Sequence, residues 1–196
     1  MQKIMEQPLA IRIFHWSFVG ATLIVLLTSF LKVFREYNFL NWPDTTTSFY
    51  HQTSGLLLFF LIIFRIYYSL ISGMWTYDIP IKKEFASFLE LSRYYAFLTE
   101  QKPPVFPKYN IAQKLTFLSW FFVVLIQTIT GLILAFPEES KTIVSLVFGN
   151  LQMVRVIHFL TFAYFVITII PHVYLVLVED PAKLQAMFTG YLQRKE

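Results

Sequence analysis

Residues 158–172 read HFLTFAYFVITIIPH, an almost wholly apolar run with a histidine at each end. The chain contains only four histidines, so half of them lie in this one segment. An ionisable side chain is costly to place inside an apolar segment of membrane length, and such a residue therefore carries a presumption of function. The two imidazoles, His158 and His172, decide how the remaining sequence is interpreted.

The composition is that of an integral membrane protein. Of the 196 residues, 56% are hydrophobic and only 14% are charged, whereas about a quarter of the residues of a soluble domain are charged. Four runs are each long enough, at about 20 residues, to cross the hydrocarbon core as helices. We predict an all-α four-helix membrane bundle that forms a single domain over residues 1–196, with spans at about residues 11–33, 51–73, 113–136 and 154–178.

The segments between the spans are predicted to be loops and surface helices. Residues 35–48 read as a turn-rich polar loop, and residues 137–150 as a segment containing a short interfacial helix. In the connector at residues 74–112, apolar side chains recur at helical spacing within KKEFASFLELSRYYAFLTE, which predicts an amphipathic helix on the membrane surface. KPPVFP at residues 102–107 breaks that helix.

The distribution of lysine and arginine predicts the orientation. One side of the membrane receives the N-terminus, the long connector and the C-terminus, and the other side receives the two short loops. The first side carries Lys3, Arg12, Lys82, Lys83, Arg93, Lys102, Lys108, Lys114, Lys183, Arg194 and Lys195, and the second carries Lys32, Arg35, Lys141 and Arg155. By the positive-inside rule, both termini and the amphipathic helix are cytoplasmic, in a multi-pass protein of the bacterial cytoplasmic membrane.

The absence of cysteine restricts the chemistry. It excludes disulfides, thiolate metal sites, iron–sulfur clusters held by this chain and covalent c-type haem attachment. Any redox centre must be held by histidine or bound without a covalent link. The net charge of +4 is explained by topology, and we expect no nucleic-acid partner.

Orientation fixes the depth of each histidine. His15 lies near the inner face in span one, and His51 lies near the outer face in span two. His158 and His172 are about 21 Å apart along span four and only roughly 40° from a whole number of turns, so they share one face of the helix. We call His51 and His158 the outer pair, and His15 and His172 the inner pair.

Two neutral imidazoles from facing helices are what a bis-histidine haem iron requires, and the apolar macrocycle of haem b suits a membrane site. Arg155 could bind the outer propionates, and Arg12 or Arg65 the inner ones. Alternatives remain: a histidine in an apolar helix often only hydrogen-bonds within the packing, and each arginine could be extending to the interface. A zinc or copper site would need three or four ligands converging at one point, which the paired depths do not favour.

Several motifs resemble one family. They are RIFHW at residues 12–16, histidine and SG at residues 51–55 leading to FRIYYSLISG, YNIAQK at 109–114, TGLILAF at 130–136, and HVYLVLVED at 172–180 followed by AMFTGY. Together they resemble the membrane b-type cytochrome subunits of respiratory nickel–iron hydrogenases over nearly the whole chain. Formate dehydrogenase gamma subunits and bacterial cytochromes b561 share the same four-helix plan.

The resemblance implies two b haems, one ligated by His15 with His172 and one by His51 with His158. The partners would be the iron–sulfur (small) and catalytic (large) subunits of a periplasmic hydrogenase. Electrons would arrive from the iron–sulfur subunit and would reduce menaquinone or ubiquinone near the cytoplasmic face. The chain would then be an electron-transfer subunit with no bond-making catalytic residue of its own. Asn110, with Gln113 beside it, matches a position that helps to hold quinone in related subunits, but NIAQ suits a helix N-cap equally well.

Three functions therefore remain open. The first is an electron-transferring anchor of a hydrogenase or formate dehydrogenase complex. The second is a stand-alone cytochrome b561-like quinol oxidase. The third is a haem-free scaffold or small transporter whose histidines relay protons. Bound haem separates the third from the others, and co-purifying dehydrogenase subunits separate the first from the second.

Overall fold

The fold is that of an all-α membrane helical bundle. A computed structural model of the chain describes residues 2–101 and 108–194. Four helices are long and apolar enough to cross a membrane: α1 (Leu9–Val33), α2 (Asp44–Ser72), α5 (Ile111–Ala135) and α7 (Leu151–Val178). They match the four predicted spans, because an apolar segment in lipid must satisfy its backbone hydrogen bonds internally and does so as a helix.

Helix α2 begins earlier than the sequence indicates. The predicted span starts at His51, whereas the helix starts at Asp44, inside the segment interpreted as a polar loop. The Thr47 N–H bonds to the Pro43 carbonyl, and the acidic Asp44 lies in the first turn, where the helix dipole favours it. The polar side chains of this stretch therefore belong to an extra-membrane extension of the helix, and His51 lies two turns inside it.

The long connector contains shorter helices than predicted. Helix α3 (Trp75–Asp78) is followed by a 3-10 segment at Lys82–Ser87 and then by α4 (Phe88–Tyr95). The amphipathic pattern is present, because Leu91 is fully buried while most of the other α4 side chains are exposed. Phe97 has a positive φ of 58°, which ends the helical segment. The predicted break at residues 102–107, with Lys102, lies outside the described residues, as does Lys195.

The segment between α5 and α7 is helical, as predicted. Helix α6 (Lys141–Ile143) continues into a π-helical turn at Val144–Phe148, which Gly149 ends at a φ of +78°. Asn150 caps α7 by accepting the Met153 N–H at 2.9 Å. Ile133, Val144 and Val154 form a buried apolar cluster here, one turn before His158.

Two strands were not predicted. Helix α8 (Pro181–Thr189) begins with Asp180 as its cap and Pro181 in its first turn, and it ends at Gly190, whose φ is +88°. Strand β2 (Tyr191–Arg194) then pairs antiparallel with β1 (Gln2–Met5). The two ends of the described chain are therefore on the same side, as an even number of spans requires.

The chain forms two compact units. One comprises Met1–Arg65 with Val123–Glu196, and the other comprises Ile66–Phe122. All four histidines belong to the first unit, and Asn110 and Gln113 belong to the second. The prediction of one domain over residues 1–196 stays a prediction.

Candidate haem site

The structure brings the outer pair together. The imidazole rings of His51 on α2 and His158 on α7 have centroids 6.2 Å apart, with an angle of 61° between their planes. Both side chains are half-buried. The two residues paired by depth are therefore neighbours, and their role as haem ligands stays a prediction.

Two threonines hold the outer rings. Thr28 on α1 lies 3.1 Å from Nδ1 of His51, and Thr130 on α5 lies 2.8 Å from Nδ1 of His158. The two threonines are 0% and 1% exposed. All four long helices therefore contribute to the outer site, two through histidines and two through threonines.

Helix α5 also fixes the backbone around His158. Gln127 donates from Nε2 to the His158 carbonyl at 2.6 Å and to the Thr161 hydroxyl at 2.7 Å. A Cβ atom at Gly131 would come within 3.4 Å of Cε1 of His158, so this glycine lets the ring lie against the helix. Sequence reasoning missed Thr28, Gln127 and Thr130, because a threonine in an apolar helix usually only bonds back to its own helix.

The donor set fits a metal held between two imidazoles. Imidazole nitrogens bind transition metals at about 2 Å, so two rings on opposite sides of one ion have centres roughly 6 Å apart. The separation of 6.2 Å for His51 and His158 agrees with this value. Since Nδ1 of each ring is hydrogen-bonded to a threonine, Nε2 is the atom that remains for the metal.

The pairing of His15 with His172 stays a prediction, and two observations bear on it. His15 on α1 and His172 on α7 are close enough to interact electrostatically. Nδ1 of His15 is buried and has no hydrogen-bond partner among the described residues. Leaving a buried polar atom unsatisfied costs about 1–3 kcal/mol.

A comparison of the sequence with known protein families identifies the family to which these four helices belong. A family model described as prokaryotic cytochrome b561 matches residues 6–190. The chain belongs to the prokaryotic cytochrome b561 family. It is therefore a multi-pass membrane protein of a family that binds haem b and transfers electrons, and the prediction of a membrane b-type cytochrome is confirmed. No curated protein matches the chain.

In this cytochrome, Arg12 contacts helix α8. Its Nη2 donates to the Phe188 carbonyl and its Nε to the Met187 carbonyl. Trp16 donates to the same Met187 carbonyl at 3.1 Å, and its ring contacts that of Phe188 in a tilted arrangement with centroids 4.4 Å apart. The RIFHW and AMFTGY motifs therefore contact each other, and a cation here caps the carbonyl end of α8. Propionate binding by Arg12 stays a prediction.

Replacing Arg12 with alanine should lower the free energy of unfolding by about 1.5–3 kcal/mol, because two hydrogen bonds from a charged donor are lost. Thermal or denaturant unfolding of the purified cytochrome in detergent measures the change. Arg93→Ala, an exposed position on α4, is the control and should change stability by less than about 0.5 kcal/mol. If Arg12→Ala lost haem without losing stability, propionate binding and not helix capping would be its role.

Propionate binding by Arg155 and Arg65 stays a prediction. Arg155 is exposed, one turn before His158, and its Nη1 contacts Gln152 at 3.3 Å. Arg65 on α2 is half-buried. Lys32, which sequence reasoning used only for topology, donates to Ser48 at 2.8 Å and interacts electrostatically with His51. It lies one turn after Thr28 on α1, so Lys32 is a further candidate cation for the outer pair.

Asn110 and Gln113 form a capping box at the start of α5. The Gln113 N–H donates to Oδ1 of Asn110 at 2.8 Å, and the Asn110 N–H donates to Oε1 of Gln113 at 3.0 Å. Asn110 is buried and also donates from Nδ2 to the Tyr95 hydroxyl at 3.2 Å. The capping interpretation is confirmed, and a role in quinone binding stays a prediction.

Lys114, the last residue of YNIAQK, is in a buried ion pair. Its Nζ lies 2.7 and 3.0 Å from the two carboxylate oxygens of Glu84 and 3.3 Å from the Ile79 carbonyl. The side chains of Lys114 and Glu84 are only 5% and 18% exposed. Three acceptors thus satisfy the three N–H groups of the ammonium.

Burial by itself raises the pKa of Glu84. The hydrogen bonds from Lys114 and from the Ile81 N–H, together with the Lys114 charge, lower the pKa by more than burial raises it. The pKa of Glu84 therefore lies below its ordinary value of 4.5, and the ionised pair joins α5 to the 3-10 segment of the connector.

Proposed function

We propose that this cytochrome is the membrane anchor and electron-transfer subunit of a bacterial membrane-bound hydrogenase. It carries electrons from the iron–sulfur subunit on the periplasmic side to membrane quinone, either menaquinone or ubiquinone. The observation that carries the proposal is the outer pair, in which His51 and His158 present two imidazoles 6.2 Å apart between centroids. The hydrogenase partner is supported by the motif resemblance.

In this proposal, His51 with His158 and His15 with His172 would hold the two haems. Bound haem b would supply one-electron transfer between two oxidation states of its iron. The histidines would bind the group, and Thr28 and Thr130 hold two of the histidine rings. Lys32 and Arg155 would be the cations for the outer propionates, and Arg12 and Arg65 those for the inner ones.

The proposed orientation places both termini in the cytoplasm and the protein in the inner membrane. The excess of lysine and arginine on one side supports it, and the antiparallel pairing of β1 with β2 supports the location of both ends on one side. The outer pair then faces the periplasmic iron–sulfur subunit, and quinone is reduced towards the cytoplasm, with Asn110 and Gln113 as its candidate contacts.

A second candidate is favoured by the family match itself. A stand-alone cytochrome b561-like quinol oxidase agrees equally well with the family shown over residues 6–190. A gamma subunit of a formate dehydrogenase, which resembles this chain in its four-helix plan, is a further alternative. The three differ in the partner that delivers or accepts electrons.

Affinity purification of the chain from membranes in mild detergent tests the proposal. We expect low-spin b-type bands on dithionite reduction, iron–sulfur and large hydrogenase subunits in the eluate, and reduction of the haem bands by hydrogen. Reduction by formate with formate dehydrogenase subunits bound would contradict the hydrogenase assignment. A haem-containing chain that purifies alone and is reduced only by quinol would support the second candidate, and a chain without haem bands would contradict both.

A further inference from the structure

The outer histidines are fixed by two fully buried threonines in equivalent positions. Thr28 contacts Nδ1 of His51 at 3.1 Å, and Thr130 contacts Nδ1 of His158 at 2.8 Å. The threonines come from α1 and α5, the two long helices that provide no histidine to this pair. Because each histidine of the outer pair has its own threonine at the same ring atom, we infer that the two threonines have the same role.

The hydroxyl protons are already used. Thr28 donates to the Ile24 carbonyl at 2.8 Å, and Thr130 donates to the Ile126 carbonyl at 2.6 Å. With its single proton donated to the carbonyl of its own helix, each threonine accepts from the imidazole. On this basis we assign the ring proton of His51 and of His158 to Nδ1, which leaves the lone pair of a neutral imidazole on Nε2.

We propose that Thr28 and Thr130 are positioning residues that set the tautomer, orientation and basicity of the two axial ligands of the outer haem. The inference rests on the proposed function, in which His51 and His158 bind the iron. An acceptor on the second nitrogen raises the basicity of a histidine ligand. A more basic ligand stabilises the oxidised iron, so the two threonines lower the reduction potential of the outer haem.

The inner pair differs at the equivalent atom. Nδ1 of His15 is buried without a hydrogen-bond partner in the described part of the chain. At least one inner ligand therefore lacks the hydroxyl acceptor that both outer ligands have. The chain thus provides different surroundings for its two pairs, and the effect of the threonines is confined to one haem.

Potentiometric titration of the purified cytochrome with Thr28→Val, Thr130→Val and the double variant tests this inference. We expect one of the two haem potentials to rise in each single variant, to rise further in the double variant, and the other potential to stay unchanged. Haem affinity of the same site should fall by about 10- to 100-fold. Thr28→Ser and Thr130→Ser, which keep the hydroxyl, should restore the wild-type values, and Thr→Ala at either position should reproduce the valine result.

Thr22→Val is the matched control. Thr22 lies on the same helix as Thr28 and is also buried, but its hydroxyl has no hydrogen-bond partner among the described residues, so neither potential should move. Unchanged potentials in haem-loaded valine and alanine variants would overturn the inference while leaving the proposed function intact. A wild-type chain that bound no haem would instead overturn the proposed function.

Discussion

If the chain binds two haems as proposed, replacing His158 with alanine should lower the content of low-spin haem b from two per chain to one. In the outer pair, the ring of His158 lies 6.2 Å from that of His51 between centroids, and removing it leaves that site with a single imidazole, which cannot form a bis-histidine, low-spin centre and should bind haem more weakly. Pyridine-haemochrome assay against protein concentration measures the ratio. Low-spin b-type bands from the remaining haem should persist in the reduced spectrum.

Double variants test the pairing without relying on absolute yields. His51→Ala with His158→Ala should lose no more haem than His158→Ala alone, because both changes affect the same site. His158→Ala with His172→Ala should lose both haems, because the changes affect different sites. The opposite pattern of haem loss would show that the histidines are paired differently. Circular dichroism is the folding control, and each variant should have the helical content of the wild type.

Replacing Glu84 with glutamine should lower the free energy of unfolding by about 3–5 kcal/mol, because it leaves the Lys114 ammonium buried without its counter-charge. The double variant Glu84→Gln with Lys114→Met removes both charges and should recover most of the loss. Glu90→Gln, on the exposed side of α4, should change stability by less than about 0.5 kcal/mol. Chemical unfolding in detergent measures all three variants.

The same pair predicts a pH dependence. The folded pKa of Glu84 lies below its ordinary value of 4.5, so the pair stabilises the folded chain fully above that pH, where the carboxylate is ionised in both states. Its contribution is lost as the pH falls through the lowered folded pKa. The stability difference between wild type and Glu84→Gln should therefore shrink on acidification, and a constant difference would contradict the assignment.

The spans and the outer pair could be predicted because both depend on simple periodicities. A run of about 20 apolar residues has few alternatives to a helix in lipid, and depth along a helix follows from counting residues. The beginning of α2 could not be placed this way. Asp44, Thr47 and the residues around them read as a loop, because nothing in a polar stretch distinguishes a loop from a helix that continues beyond the membrane.

The contacts between helices were beyond sequence reasoning. Thr130 precedes Gly131 in a motif that the resemblance singled out, yet its partner His158 is 28 residues away along the chain. Arg12 could be recognised as a cation near His15, but its partners on α8 are 175 and 176 residues away. The partner of each side chain depends on how the helices pack in three dimensions, and periodicity within one helix does not encode that packing.

The pairing of β1 with β2 holds the two ends of the described chain beside each other. Since Met5 faces Tyr191 across the ladder, any domain fused to one terminus, or any protein recruited there, is held beside the other terminus. A protein that binds the paired strands β1 and β2 would also contact the segment next to α8. The end of α8 is bonded to Arg12 of α1, three residues before His15. Both ends of the described chain are thus held beside the start of α1, which carries His15.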